Sequence, residues 1–137
     1  RSVSAFLLNR SSDLSSYQFM SNFMFVFKYA LKFAKLGYCA YVFDFVGGSP
    51  FSRSDGKMTD MTILTEVEDL ETVIAYADQQ PYTNDELNLM GCSQGGLVTA
   101  LAAAKFGTER VHKVILFYPA FSIHDEAMKG HVFHIER

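Results

Sequence analysis

Short apolar runs typical of buried β-strands alternate along this chain with longer segments of helical periodicity. The pattern predicts strands at residues 3–8, 38–45, 87–90 and 111–118, and helices at residues 19–36, 63–77 and 94–105. Parallel strands need long crossover connections, which are usually helices, so this alternation predicts strands that run parallel. The expected fold class is α/β, a three-layer α/β/α sandwich with a mainly parallel sheet.

The ends of the predicted helices carry residues that suit those positions. Gly37 and Gly107 follow the first and third helices, where a helix C-terminus favours a residue that tolerates positive φ. A polar loop over residues 51–60 precedes the second helix, whose predicted cap is Thr62 or Thr65. These signals predict where the helices begin and end, and so where the strands and loops between them lie.

Length and charge limit the domain count and the partners. A chain of 137 residues, 49% of them hydrophobic, predicts one globular domain over residues 1–137. The net charge of −3 and the scattered basic residues give no positive field for nucleic acid. The most apolar stretch, residues 17–36, is interrupted by Lys28, Lys32 and Lys35, so we expect no membrane span.

The two cysteines, Cys39 and Cys92, lie far apart and fit neither a disulfide-rich secreted pattern nor a zinc-ligand spacing. We expect both thiols to be reduced and buried, which favours a cytoplasmic location.

One motif carries a chemical signal: Gly91-Cys92-Ser93-Gln94-Gly95, between the third predicted strand and the third predicted helix. It matches G-x-S-x-G in the strand–turn–helix setting of a nucleophile elbow. Such a turn holds Ser93 in a strained backbone conformation at the carboxyl edge of the sheet, and glycines at 91 and 95 remove Cβ atoms that would collide. The alternative is a chance pentapeptide in a glycine-rich turn, which the flanking strand and helix make the weaker interpretation.

The helix that follows Ser93 predicts an anion-binding position beneath this serine. Backbone N–H groups at a helix N-terminus lack intrahelical acceptors, so the N–H of Gln94 can form half of an oxyanion hole. We expect Gly96 to give this helix room against the sheet.

Further segments, together with the motif, resemble a known family. They are Leu36-Gly37-Tyr38, Phe43-Asp44-Phe45, Gly47-Gly48-Ser49, Ser54-Asp55-Gly56-Lys57, Met61-Thr62, Glu66-Val67-Glu68-Asp69 and residues 116–121. The chain from about Tyr29 resembles the α/β-hydrolase superfamily, in particular carboxylesterases of the cinnamoyl or feruloyl esterase-like kind. The resemblance implies a partial α/β-hydrolase fold and cofactor-free cleavage of a small-molecule carboxylic ester. It also implies that Ser93 is the acyl-enzyme nucleophile, that Gln94 supplies one oxyanion-hole N–H, and that Cys92 packs.

The chain departs from that family pattern in two places. Where the family has a His-Gly-aromatic loop that completes the oxyanion hole, this chain has Asn9-Arg10-Ser11. The family order Ser, Asp, His places the last two members beyond residue 137, after a lid segment that is expected to start within residues 120–137. Asp125, His131 and His134 occur in the right order, but no strand pattern carries them to the site, so the expected domain is truncated.

Other polar residues are predicted to be structural. His112 opens a strand, Asp44 is expected to hydrogen-bond loop amides, and the charge run at residues 66–71 is expected to be a helix start and a solvated face. His124, Asp125, His131 and His134 share no defined element, so no metal site is predicted.

Two functional hypotheses follow. In the first, the chain belongs to a serine hydrolase in which Ser93 attacks an ester carbonyl. In the second, it is a catalytically incompetent fragment or relic that acts at most as a binding module. In either case the edge of the strand at residues 111–118 predicts self-association, and no nucleic-acid or membrane partner is expected.

Overall fold

Strands and helices alternate throughout the part of the chain that the computed structural model describes, which is residues 3–9, 16–48 and 54–122. The elements are β1 (Val3–Asn9), α1 (Ser16–Lys35), β2 (Cys39–Phe43), a 3₁₀ turn (Met58–Asp60), α2 (Ile63–Asp78), β3 (Thr83–Cys92), α3 (Gln94–Phe106) and β4 (Val111–Phe117). The predicted order and the α/β class are confirmed.

The four strands form one parallel sheet in the order β2-β1-β3-β4. The chain leaves β1 for β2 on one side and then returns past β1 to build β3 and β4 on the other. In open parallel sheets ligands bind outside the carboxyl ends of the strands at such a reversal. Leu8 of β1 pairs with Met90 of β3, so Asn9 and Cys92 end neighbouring strands at this point.

Helices cover both faces of the sheet. Alternate residues of a strand point to opposite faces, and in β3 Leu87 and Leu89 pack in the core beneath α2 and α3, whereas Met90 and Cys92 pack in the core beneath α1. The three-layer sandwich is therefore present, with buried apolar side chains on each side of the sheet.

Aromatic side chains fasten α1 to β4. The ring of Phe117 lies 5.1 Å from that of Phe25 in an edge-to-face arrangement and 5.3 Å from that of Tyr29. Val26 and Ala30 are buried beside them. Edge-to-face aromatic pairs contribute about 1 kcal/mol beyond their buried area, so the end of β4 is held firmly against this helix. None of the described helices has both the length and the apolarity to cross a membrane.

The structure identifies the N-cap of α2 and shows that β3 is longer than predicted. Thr62 is the N-cap, and Thr65 completes a capping box, because each hydroxyl accepts a hydrogen bond from the other residue's backbone N–H. β3 begins at Thr83 rather than at Leu87: Thr83 pairs with Val3 of β1, and an irregularity over the polar residues 84–86 precedes the regular pairing that resumes at Leu87. Hydrophobic periodicity does not detect such a polar start.

The outer edge of β4 generates a prediction about association. Among the described residues β4 pairs only with β3, and Val114 is 40% exposed on it. Unpaired N–H and C=O groups on an apolar edge promote pairing with another chain. We expect the 137-residue chain to associate at micromolar concentration and Val114→Lys to raise its monomer fraction, as measured by size-exclusion chromatography with light scattering.

Leu101→Lys is the matched control, because Leu101 is 42% exposed on α3 and the substitution adds the same charge away from the strand edge. It should leave the monomer fraction unchanged. A monodisperse monomer of the unsubstituted chain at these concentrations would contradict the prediction.

Candidate active site

Ser93 lies between the end of β3 and the start of α3, at the reversal point of the sheet. Its backbone has φ 54° and ψ −124°, a region that residues with a Cβ rarely adopt. The other described non-glycine residue with positive φ is Tyr118, at φ 37°, directly after β4. The strained backbone that the motif predicts at Ser93 is thus present, while the chemical role of this serine stays a prediction.

Hydrogen bonds hold Ser93 in this conformation from both sides. Its N–H donates to the Phe117 carbonyl at 3.0 Å, and its carbonyl accepts from the N–H of Gly96 at 2.9 Å and of Ala120 at 3.0 Å. A residue in such a backbone region costs on the order of 1–3 kcal/mol and persists where the surroundings over-determine it. The segment that ends and follows β4 is therefore part of the support of Ser93.

Two glycines allow the close approach of these elements. A Cβ on Gly91 would lie 2.2 Å from the Gly95 carbonyl oxygen and 2.3 Å from Thr99 Oγ1, so Gly91 lets β3 lie against α3. A Cβ on Gly96 would lie 2.9 Å from Pro119 Cβ. The expectation that Gly96 makes room for the helix against the sheet needs correction: it makes room for the segment after β4.

The first turn of α3 presents backbone donors next to Ser93. Gln94 is the first residue of this helix and is half-buried, and Gly95 follows it and is buried. The first N–H groups of a helix have no intrahelical acceptor and lie at the positive end of its dipole. This position can stabilise negative charge that develops beside the serine.

The Gln94 side chain meets a buried carboxyl group on α2. Gln94 Nε2 donates to Glu66 Oε2 at 2.6 Å, and Glu66 has 0% exposure. The prediction that residues 66–71 form only a solvated face is therefore wrong for Glu66. The signal was in the sequence: Glu66 precedes Leu70 by four residues and Ile74 by eight, which places it on the apolar stripe of the helix.

Burial sets the protonation of this carboxyl. Desolvation raises the pKa of Glu66 from 4.5 to about 7, the hydrogen bond from Gln94 opposes the rise, and the charge of Asp69 adds to it. Glu66 Oε1 has no hydrogen-bond partner among the described residues. The neutral form of Glu66 is therefore favoured over a much wider pH range than that of an ordinary glutamate.

A second α2 carboxylate organises the loop after β2. Asp69 Oδ2 accepts from the Val46 N–H at 2.7 Å, and the Asp44 carbonyl accepts from Ser54 Oγ at 3.1 Å. The sequence predicted that the Asp44 side chain bonds to the amides of this loop. The structure shows that the Val46 amide donates to Asp69 instead. This hydrogen bond ties the loop after β2 to α2.

The remaining candidate side chains are not placed for chemistry at Ser93. Cys92 is 4% exposed in the core beneath α1, and burial raises its pKa to about 11, so it packs as a neutral thiol. Cys39 is also a free thiol and is half-buried. His112 is exposed at the amino-terminal end of β4, where Val111 pairs with Leu87, whereas Ser93 follows the carboxyl end of β3.

Several residues considered from the sequence lie outside the described ranges: Arg10, Ser11, His124, Asp125, His131 and His134. Within the described ranges no group of three His, Cys, Asp or Glu side chains is arranged to hold a metal ion.

Adding a methyl group at Gly91 should destabilise the fold strongly. We expect Gly91→Ala to lower the free energy of unfolding by about 3 kcal/mol, because its Cβ would meet the Gly95 carbonyl and Thr99 at van der Waals overlap. Gly37→Ala is the control: Gly37 has φ 93° with nothing within 4 Å of a Cβ, so only backbone strain of about 1 kcal/mol is added. If urea titrations gave the same loss of unfolding free energy for both variants, the close approach at Gly91 would be contradicted.

Glu66 should make stability fall as pH rises. The unfolded carboxyl loses its proton near pH 4.5 and the folded one near pH 7, so its stabilisation is complete below the first value and is lost as pH rises through the second. We expect Glu66→Gln, which keeps an acceptor for Gln94, to gain up to about 3 kcal/mol over the unsubstituted chain between about pH 5 and about pH 8. Urea unfolding followed by tyrosine fluorescence measures this difference.

Glu68→Gln is the matched control for that measurement, because it removes the same charge from an exposed position on the same helix. This variant should keep the pH slope of the unsubstituted chain. A Glu66→Gln variant with that same slope would show that Glu66 ionises as an ordinary glutamate.

Comparison with known proteins relates this geometry to a family. The family model for the alpha/beta hydrolase fold matches residues 13–132, which is most of the chain. A solved structure of Est1E from Butyrivibrio proteoclasticus with ferulic acid bound is similar to it, with a TM-score of 0.80 and 22% identity. The match covers 99% of this chain and 51% of that one, so this chain spans about half the length of the solved chain. No curated protein sequence matches it. The extent of the family match shows that the chain belongs to the α/β-hydrolase fold family.

Proposed function

We propose that this chain is part of a serine hydrolase that cleaves carboxylic esters, with Ser93 as its nucleophile. The observation that carries the proposal is the backbone of Ser93, a non-glycine residue at φ 54° held between a parallel strand and a helix N-terminus. Strain of this kind is kept at functional positions, where the surrounding structure supports it. The position lies at the reversal point of the sheet, where α/β folds bind their ligands.

The proposed reaction is acyl transfer in two steps. Ser93 Oγ bonds to the ester carbonyl carbon while its proton passes to a general base, and the carbonyl oxygen becomes an oxyanion that the Gln94 N–H stabilises. The bond to the alcohol then breaks, the alcohol takes up the proton, and an acyl ester remains on Ser93. Water attacks this ester with help from the same base, which releases the acid and restores the serine.

The general base comes, in this proposal, from outside the described residues. His112 is the one histidine within them, and it lies at the opposite end of the sheet from Ser93. Est1E was solved with ferulic acid, and this supports esters of hydroxycinnamic acids as the first substrates to test.

The position of His112 also supports a second candidate function. A chain that holds the serine without a base in reach can keep the fold and bind an acyl ligand without turnover. The two candidates differ in the fate of an ester: both bind it, but only the hydrolase releases acid repeatedly.

Ser93 should react selectively with a fluorophosphonate probe. The helix N-terminus stabilises the negative charge that develops on the phosphonyl oxygen while Ser93 Oγ attacks and fluoride leaves. A serine with no base beside it is a weak nucleophile, so we expect slow labelling confined to Ser93. Mass spectrometry of proteolytic peptides maps the adduct. Ser93→Ala should abolish it, and the matched control Ser122→Ala, at an exposed serine after β4, should not.

An adduct on another serine, with Ser93 unmodified, would refute the nucleophile assignment. The one histidine among the described residues, His112, lies at the opposite end of the sheet from Ser93, so we expect turnover of a p-nitrophenyl ester by the 137-residue chain near background, because a serine hydrolase without its base loses most of its rate. Rapid turnover that His134→Ala abolishes would instead place the base within this chain.

A further inference from the structure

The hydrogen bond between the side chains of Glu66 and Gln94 has no part in the reaction as proposed above, and burying this carboxyl is energetically unfavourable. A carboxyl group with 0% exposure has one oxygen bonded to Gln94 Nε2 at 2.6 Å and the other without a partner among the described residues. Burying a polar group without full hydrogen bonding costs free energy that an apolar side chain would not incur. Its place on the apolar stripe of α2 could be filled by leucine or methionine without that cost.

The pair joins the two helices at the proposed anion site. Gln94 is the first residue of α3, so the side chain that Glu66 holds and the backbone N–H beside Ser93 belong to one residue. Fixing the side chain of a residue restricts the rotation of its own backbone. The carbonyl of Ser93 is already fixed by Gly96 and Ala120, and the contact with Glu66 adds a restraint on the other side of the same peptide group.

We propose that Glu66 is a positioning residue, whose carboxyl holds Gln94 so that the Gln94 backbone N–H points at the oxyanion formed on attack by Ser93. The inference rests on the proposed function of Ser93. Preorganised donors of this kind contribute because they need no reorganisation during the reaction.

The positioning role does not require a charge. Two groups act on the Glu66 carboxyl besides burial: Gln94 of α3, which lowers its pKa, and Asp69 of α2, which raises it. A carboxyl keeps an acceptor oxygen for Gln94 Nε2 whether it is protonated or ionised. An amide at this position keeps one as well, so Glu66→Gln preserves the contact and Glu66→Ala removes it.

The test is the rate of fluorophosphonate labelling at Ser93 as a function of probe concentration, which separates probe affinity from the bond-forming rate. Loss of one oxyanion-hole donor costs about 100-fold or more in rate, and a donor that is loosened rather than removed should cost about tenfold. We expect Glu66→Ala and Gln94→Ala each to lower the bond-forming rate about tenfold with unchanged affinity. The double variant should lose no more than either single variant, and Glu66→Gln should label as the unsubstituted chain does.

Gln94→Ala keeps the backbone N–H and removes only a half-buried side chain, so it tests the contact even if Glu66→Ala does not fold. Glu68→Ala, at an exposed carboxylate of the same helix, is the control and should label normally. Labelling of Gln94→Ala at the unsubstituted rate would overturn the proposal. A double variant whose loss of bond-forming rate equals the product of the two single losses would also overturn it, because two independent structural effects combine in that way.

Failure of the proposed function gives a different result: Ser93 of the unsubstituted chain does not label at all. In that case the ¹⁵N–¹H signal of the Gln94 backbone amide tests whether Glu66 positions this N–H. A signal that shifts in Glu66→Ala but not in Glu66→Gln supports the role of Glu66 in ordering this turn, and a signal that is unchanged in both overturns it.

Discussion

The hydrogen bond from the Ser93 N–H to the Phe117 carbonyl is the contact on which the candidate site depends. It crosses from the end of β3 to the end of β4 just where the regular ladder between these strands stops. Together with the bond from Ala120, it fixes both peptide groups of a serine whose φ alone would be unfavourable. The sheet, rather than the loop, thus defines the geometry of this turn, as is typical of sites built on rigid elements.

Support for that contact extends through the whole sandwich. Phe25 and Tyr29 of α1 pack against the Phe117 ring on one face, and Gly91 lets α3 lie against β3 on the other. A substitution in the α1 core can therefore change the turn at Ser93 without touching it. The ring of Phe117 thus anchors the residue whose carbonyl accepts the hydrogen bond from Ser93.

Sequence patterns predicted the layout of the elements, and at Ser93 they predicted a backbone conformation that distant contacts hold in place. The alternation of periodicities predicted the parallel sheet, and the motif around Ser93 predicted a strained serine between a strand and a helix. The burial of Glu66 was missed because a glutamate in a charge run resembles a solvated helix face; its spacing from Leu70 and Ile74 indicates the buried stripe, but its partner Gln94 is visible only in the structure. The Asp69 contact with Val46 joins residues far apart in sequence, so no local pattern could predict it.

The support of Ser93 has a consequence for the order of events during synthesis. The residues that fix its backbone from outside the turn, Phe117 and Ala120, leave the ribosome after the turn itself and after all of α3. Until they arrive, φ at this serine is free to relax to the values that residues with a Cβ prefer. The conformation is therefore a non-local property, which a nascent chain that ends at α3 cannot hold, and it is acquired only when β4 docks.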